Sequence, residues 1–117
     1  MAIVTITKTK LTRNQIGAMP AAVASDATGG ACIAYDEADN KILILLENAG
    51  ASPITGTIEA GNGIQGTTDL SFTLAAGAKG CAVVESGRYV NTSGTNKGML
   101  VVKGGSADLK VACVVLP

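Results

Sequence analysis

Histidine and tryptophan are absent from this 117-residue chain, which has only two Tyr, one Phe and 15% charged residues. Each gap removes a class of chemistry. Imidazole titrates nearest neutral pH and is the commonest metal ligand, so its absence takes away the usual general base and most metal centres. Without Trp, and with Tyr scarce, the usual stacking platforms for sugars and bases are missing. Nine basic residues balance nine acidic ones, so no excess of positive charge neutralises a phosphate backbone. Ser and Thr are plentiful, yet no His and no Ser-x-x-Lys motif stands by to activate one. Neither nucleic acid nor a membrane is expected as a partner, no cofactor or metal is expected, and an enzyme is the least expected reading.

Charge is also scarce for the size of the surface. Typical chains carry about 25% charged residues, and a solvated small domain needs about a quarter to a third of its surface charged. A chain of 11.6 kDa folds to ~5,800 Å² from ~17,000 Å² unfolded, burying roughly 65%, enough for one core. With 15% charge, much of the exterior is expected to touch protein; the alternative is a monomer surfaced with Thr, Ser, Asn and Gly. Cys32, Cys81 and Cys113 are an odd, widely spaced set with no C-x-x-C pair, expected as small buried hydrophobes in a reducing compartment. The N-terminal stretch has Thr where a signal peptide needs a continuous apolar core, and the longest apolar run, residues 42–46, is too short to span a bilayer.

Turn residues and alternation give the organisation. Residues 2–13 alternate weakly and read as an edge strand or an extended arm. Residues 14–30 are rich in Ala and Gly and read as irregular, with a short helical turn around 21–25. From residue 32 onward the pattern predicts strands at 32–35, 41–48, 54–60, 70–74, 80–85, 88–92, 99–103 and 109–116. Tight hairpins are expected at Ser86–Gly87 and Gly104–Gly105. The fold class is therefore all-β, a small antiparallel β-sandwich of jelly-roll or Ig-like type with an extended N-terminal segment. One domain is expected, with an arm over residues 1–30 and the sandwich over 31–117. The run from Ile42 to Leu46 is apolar on both faces, so something must cover its outer side, either the N-terminal segment or another subunit.

Three motifs resemble chemistry and are discounted. Residues 61–66 match G-x-G-x-x-G, but a strand rather than a helix follows, so no aligned N–H groups face a phosphate. Asp36, Glu37, Asp39 and Asn40 lack calcium-loop spacing, because Ala38 falls where an oxygen ligand is required. Asn91-Thr92-Ser93 is a glycosylation sequon without an export signal. The only concentrated positive charge is Lys8, Lys10 and Arg13, either a solvated edge or an arm that docks on an acidic surface.

Several short motifs together resemble a family. They are Leu11-Thr12-Arg13-Asn14-Gln15-Ile16, Asp26-Ala27-Thr28-Gly29-Gly30, the apolar strand 43–48 ending in Asn48 with Pro53 and Thr55 after it, and Ala75-Ala76-Gly77. Tyr89 and Asn91 complete the set, with Val90 between them. The chain is similar in these to the small head decoration proteins, or capsid cement proteins, of tailed bacteriophages, and departs from them in its Ala-rich residues 18–34. The resemblance implies a non-enzymatic virion protein on the capsid surface, made in the host cytoplasm. Its expected partners are the major capsid protein lattice and further copies of itself, a trimer being favoured. The segment expected to dock comprises Ile3, Ile6, Lys8, Lys10, Leu11, Arg13 and Ile16. The alternatives are a tail or fibre subunit, or a carbohydrate-binding module using Tyr35 and Tyr89.

Overall fold

The computed structural model describes residues 3–117, so Met1 and Ala2, the start of the expected arm, lie outside it. Ten strands follow in chain order: β1 (Val4–Thr5), β2 (Thr9–Lys10), β3 (Val23–Ala24), β4 (Ala31–Ala34), β5 (Ile42–Asn48), β6 (Ile54–Ile58), β7 (Leu70–Leu74), β8 (Lys79–Ala82), β9 (Met99–Lys103) and β10 (Leu109–Val115). One helical turn, α1 (Ser86–Tyr89), and a 3-10 turn at Asp39–Lys41 are the only helical pieces among the described residues. The chain is nearly all β, in two mixed sheets. The first runs β1-β4-β9-β6-β7; in the second, β2 and β3 both pair with β10, which continues to β5 and β8.

A single apolar core draws on both sheets. Ala31, Ile33, Ile54, Ile58, Leu100 and Val102 come from the first, and Ile42, Ile44, Leu46, Leu109, Val111 and Cys113 from the second. Alternation places them: along β5 every second residue is buried, from Ile42 to Asn48. Full burial of such a side chain contributes about 1.5–3 kcal/mol, so this layer is the main source of stability.

Residues 3–30 are woven into both sheets. β1 pairs in parallel with β4, and β2 in parallel with β10, while every other named pairing is antiparallel. The expected purely antiparallel arrangement is thereby corrected. Parallel pairing needs a long crossover, and residues 6–30 supply one between β1 and β4. Along it, Ile6 is buried in the core, and Asp26-Ala27-Thr28-Gly29-Gly30 closes a tight loop. Asp26 Oδ2 accepts the N–H groups of Gly29 (2.6 Å) and Thr28 (3.0 Å), which hold its carboxyl below the usual range, Gly29 contributing most. Gly30 there has φ 77°, and a Cβ on it would lie 2.2 Å from the Val102 carbonyl oxygen. Only glycine fits.

Four local expectations fail for identifiable reasons. Residues 23–24 form β3 rather than a helical turn, because the free edge of β10 pairs them with Lys110 and Val111. Residues 86–89 form α1 rather than part of a hairpin; Val90 N–H donates to Ser86 O, and Tyr89 and Val90 pack on the core. The Gly104–Gly105 turn joins β9 to β10 across the two sheets, so it is no hairpin. A turn dipeptide fixes a reversal of direction and leaves the pairing partner open. Cys81 is exposed, unlike buried Cys32 and Cys113; it pairs with Leu45 on the outward face of the second sheet.

Among the described residues, Asn48 is the one wholly buried side chain of strongly polar character. Its Nδ2 donates to the carbonyl oxygens of Ser52 (2.7 Å), Leu74 (3.1 Å) and Ala75 (3.3 Å), and its Oδ1 accepts from Gly50 N–H. One amide thus ties the end of β5 to the turn that leads into β6 and to the turn that follows β7. Ser25, also buried, places its Oγ 2.9 Å from the Leu109 carbonyl and 3.1 Å from that of Ser106.

Candidate functional site

The outer face of the second sheet is where the sequence demanded a cover. β2 lies against the C-terminal end of β10 and β3 against its N-terminal end. Residues 11–22 between them leave the sheet and arch over it, reversing at Asn14, whose φ is 63°. Asn tolerates this left-handed conformation better than most residues. Leu11 N–H is held by Val115 O at 2.9 Å, and beyond that bond the loop makes no backbone hydrogen bond until Ser25 outside the short β3 pairing.

The cover is incomplete. Ala112 and Val114, on the outward side of β10, are 2% and 6% exposed, whereas Leu43 and Leu45 on β5 stay half-buried. Between loop and sheet lies a groove of about 500 Å³, walled by Leu11, Ile16, Met19, Leu43, Leu45 and Leu116. It continues past Leu45 and Met19 into a hollow of about 170 Å³ that ends at Glu47 and Lys79. On the rim, Ile16 is 102% exposed and Met19 89%. An apolar channel with apolar knobs beside it is a surface feature of the kind that marks interaction sites. The molecule as a whole exposes 6467 Å², above the ~5,800 Å² expected for its mass.

The expected docking segment divides in two. Ile6 belongs to the core, Val4 pairs with β4, and the Ile3 backbone lies against Gly29. Lys8 donates to Asp36 with its stem largely buried, and Lys10 lies 3.2 Å from Glu37. These cations serve the acidic 36–40 loop of their own chain. In the same loop Asp39 Oδ2 accepts from the N–H (2.9 Å) and hydroxyl (3.1 Å) of Ser86, so its carboxylates are occupied within the molecule. Leu11 and Ile16 remain at the groove, while Arg13 is exposed and makes no ion pair among the described residues. Met19, Leu43, Leu45 and Leu116 were missed as site residues, though the double-faced apolar run already pointed to Leu43 and Leu45.

Among the described residues no group of three or more Cys, Asp or Glu side chains is gathered as a metal cage, and no helix is long and apolar enough to cross a membrane. The Gly61–Gly66 segment folds back on itself, with Gly66 N–H donating to Gly63 O and too little room at Gly66 for a Cβ beside the Gly61 carbonyl. β7 follows it instead of a helix. Tyr35 and Tyr89 are partly buried and pack against the core. Burial pushes the Tyr35 hydroxyl up to about 12, with Asp39 nearby adding to the shift. Burial likewise pushes the Cys113 thiol up, away from the reactive thiolate form. No family model matches the chain, and neither a curated protein nor a solved structure matches it.

Proposed function

We propose that the chain is a non-enzymatic structural protein of a tailed-phage virion, seated on the outer surface of the capsid lattice, with its two sheets forming a small β-sandwich. The observation that carries this reading is the unfilled apolar groove under residues 11–22, with Ile16 and Met19 standing fully in solvent on its rim. A chain so poor in charge gains by covering such a surface with a neighbour. The groove offers the major capsid protein a channel for an apolar segment, and the knobs offer it something to grip. The motifs shared with head decoration proteins point the same way. Repetition over a lattice multiplies modest contacts, so each copy needs little affinity of its own.

Co-sedimentation tests the reading. Purified chain mixed with undecorated heads should pellet saturably, at a fixed number of copies per head. A chain that stays in the supernatant at every ratio contradicts it.

A further inference from the structure

A second surface lies at the open edge of the first sheet, on β7. Exposed edge strands ordinarily carry a device against pairing: brevity, a Lys, a Pro, a bulge or a cover. Most edges here have one. β1, β2 and β3 are two residues each, and β8 is four residues beginning with Lys79. β7 is the exception, five residues reading Leu-Ser-Phe-Thr-Leu with no charge and no proline.

The free hydrogen-bonding groups of β7 can be identified. In antiparallel pairs bonds occur only at alternate residue pairs. Glu59 N–H donates to Val101 O at 2.9 Å, so the odd residues of β6 and its extension face β9. The even ones, Ile54, Gly56 and Ile58, therefore face β7, where their partners are Leu74, Phe72 and Leu70. That leaves the N–H and C=O groups of Ser71 and Thr73 directed away from the sheet.

We propose that β7 pairs antiparallel with β7 of a second copy about a two-fold axis at Phe72, making one continuous sheet across a dimer. In this register Leu70 faces Leu74 of the second copy, Ser71 faces Thr73, and Phe72 faces Phe72. Each Ser71–Thr73 pair exchanges two backbone hydrogen bonds, and the two-fold axis supplies two such pairs. Like meets like across the whole seam, and Asp69, the only charge within reach of it on this strand, falls opposite Ala75. The inward side chains are short of a neighbour: Leu70 is 37% exposed, and Phe72 and Leu74 are half-buried. Phe72 lies over Gly56, where a Cβ would stand 2.6 Å from its ring. A second Phe72 beside it extends both cores into one layer. A two-fold pair departs from the trimer that the family resemblance implies.

Sedimentation equilibrium of the full chain at micromolar concentration tests the pairing without any capsid, so its outcome is separate from the head-binding test. The expected mass is twice 11.6 kDa. S71K combined with T73K sets like charges opposite each other at exposed positions and should halve the mass with the thermal midpoint of the monomer retained. S71E combined with T73K sets opposite charges across the same pairs and should keep the dimer. Exchange of the backbone amides at positions 71 and 73 should be slow in the wild type and fast in the S71K/T73K variant. A monomeric or trimeric wild type, a dimer that survives S71K/T73K, or fast wild-type exchange at both amides overturns the proposal.

Discussion

The two faces of β5 carry the same kind of side chain and meet different fates. Ile42 and Ile44 on the inner face are wholly buried against the first sheet, while Leu43 and Leu45 on the outer face look into a partly open groove. A sheet opposes the first pair and a loop opposes the second. The sheet presents side chains at regular spacing and closes around its neighbours. Residues 11–22, held at Leu11 and again at β3, span the outer face like an arch and leave room beneath. Apolarity on a strand face thus says that a face will be covered, and the element opposite decides how completely. β10 shows the same rule from the other side: the arch reaches Ala112 and Val114, and they are buried on both faces of that strand.

Breaking the inner layer should have the largest effect. Ile44→Ala or Leu100→Ala should cost about 2–5 kcal/mol, since cavity and transfer losses add in a core that cannot collapse. The urea midpoint measures it. Asn48→Ala comes next. It strips the donor from carbonyl groups that the turns at residues 52 and 75 present to the interior, and should cost about 1–3 kcal/mol, as removing a buried partner generally does. The same urea titration checks it. On the outer face, Leu45→Ala should cost under about 1 kcal/mol, because only part of that side chain is out of water to begin with. A loss as large as that of Ile44→Ala would mean that the groove is already closed in solution.

The smallest effect concerns pH. Tyr35 donates from its hydroxyl to Val84 O at 3.4 Å and packs on the inner layer. Its folded pKa is raised from 10.0 to about 12. The stabilisation is fully present below pH 10 and is lost as pH rises from there toward 12, because the unfolded chain releases the proton first. Thermal midpoints should fall across that window, and Tyr35→Phe should make the fall shallower. An unchanged slope in that variant would place the alkaline sensitivity elsewhere.

Much of this arrangement is legible in the residues. Alternation located seven of the eight strands expected after residue 31, and the double-faced run 42–46 announced the uncovered side on which the groove lies. What failed was partner choice. Val23 and Ala24 look like ordinary members of an Ala-rich stretch, and only the free edge of β10 makes them a strand. Ser86-Gly87 looks like a turn in either context, and the burial of Tyr89 and Val90 selects the helical one. Of the expected docking segment, Leu11 and Ile16 lie at the groove. Its earlier half, Ile6 and Lys8, is spent on the chain's own core and acidic loop, which no local pattern could signal because Asp36 is 28 residues away. Cys81 illustrates the same limit, since its exposure follows from sharing a face with Leu45 on the neighbouring strand.

Ile16 offers the most direct test of the claim that the arched loop and its groove exist for a capsid neighbour. Its side chain is entirely in solvent, so Ile16→Asp should leave the unfolding midpoint within about 0.5 kcal/mol of wild type, as surface changes do. Measured side by side by co-sedimentation with undecorated heads, the wild type should bind saturably and the variant should lose at least tenfold in affinity. Equal binding by the two proteins would contradict the account.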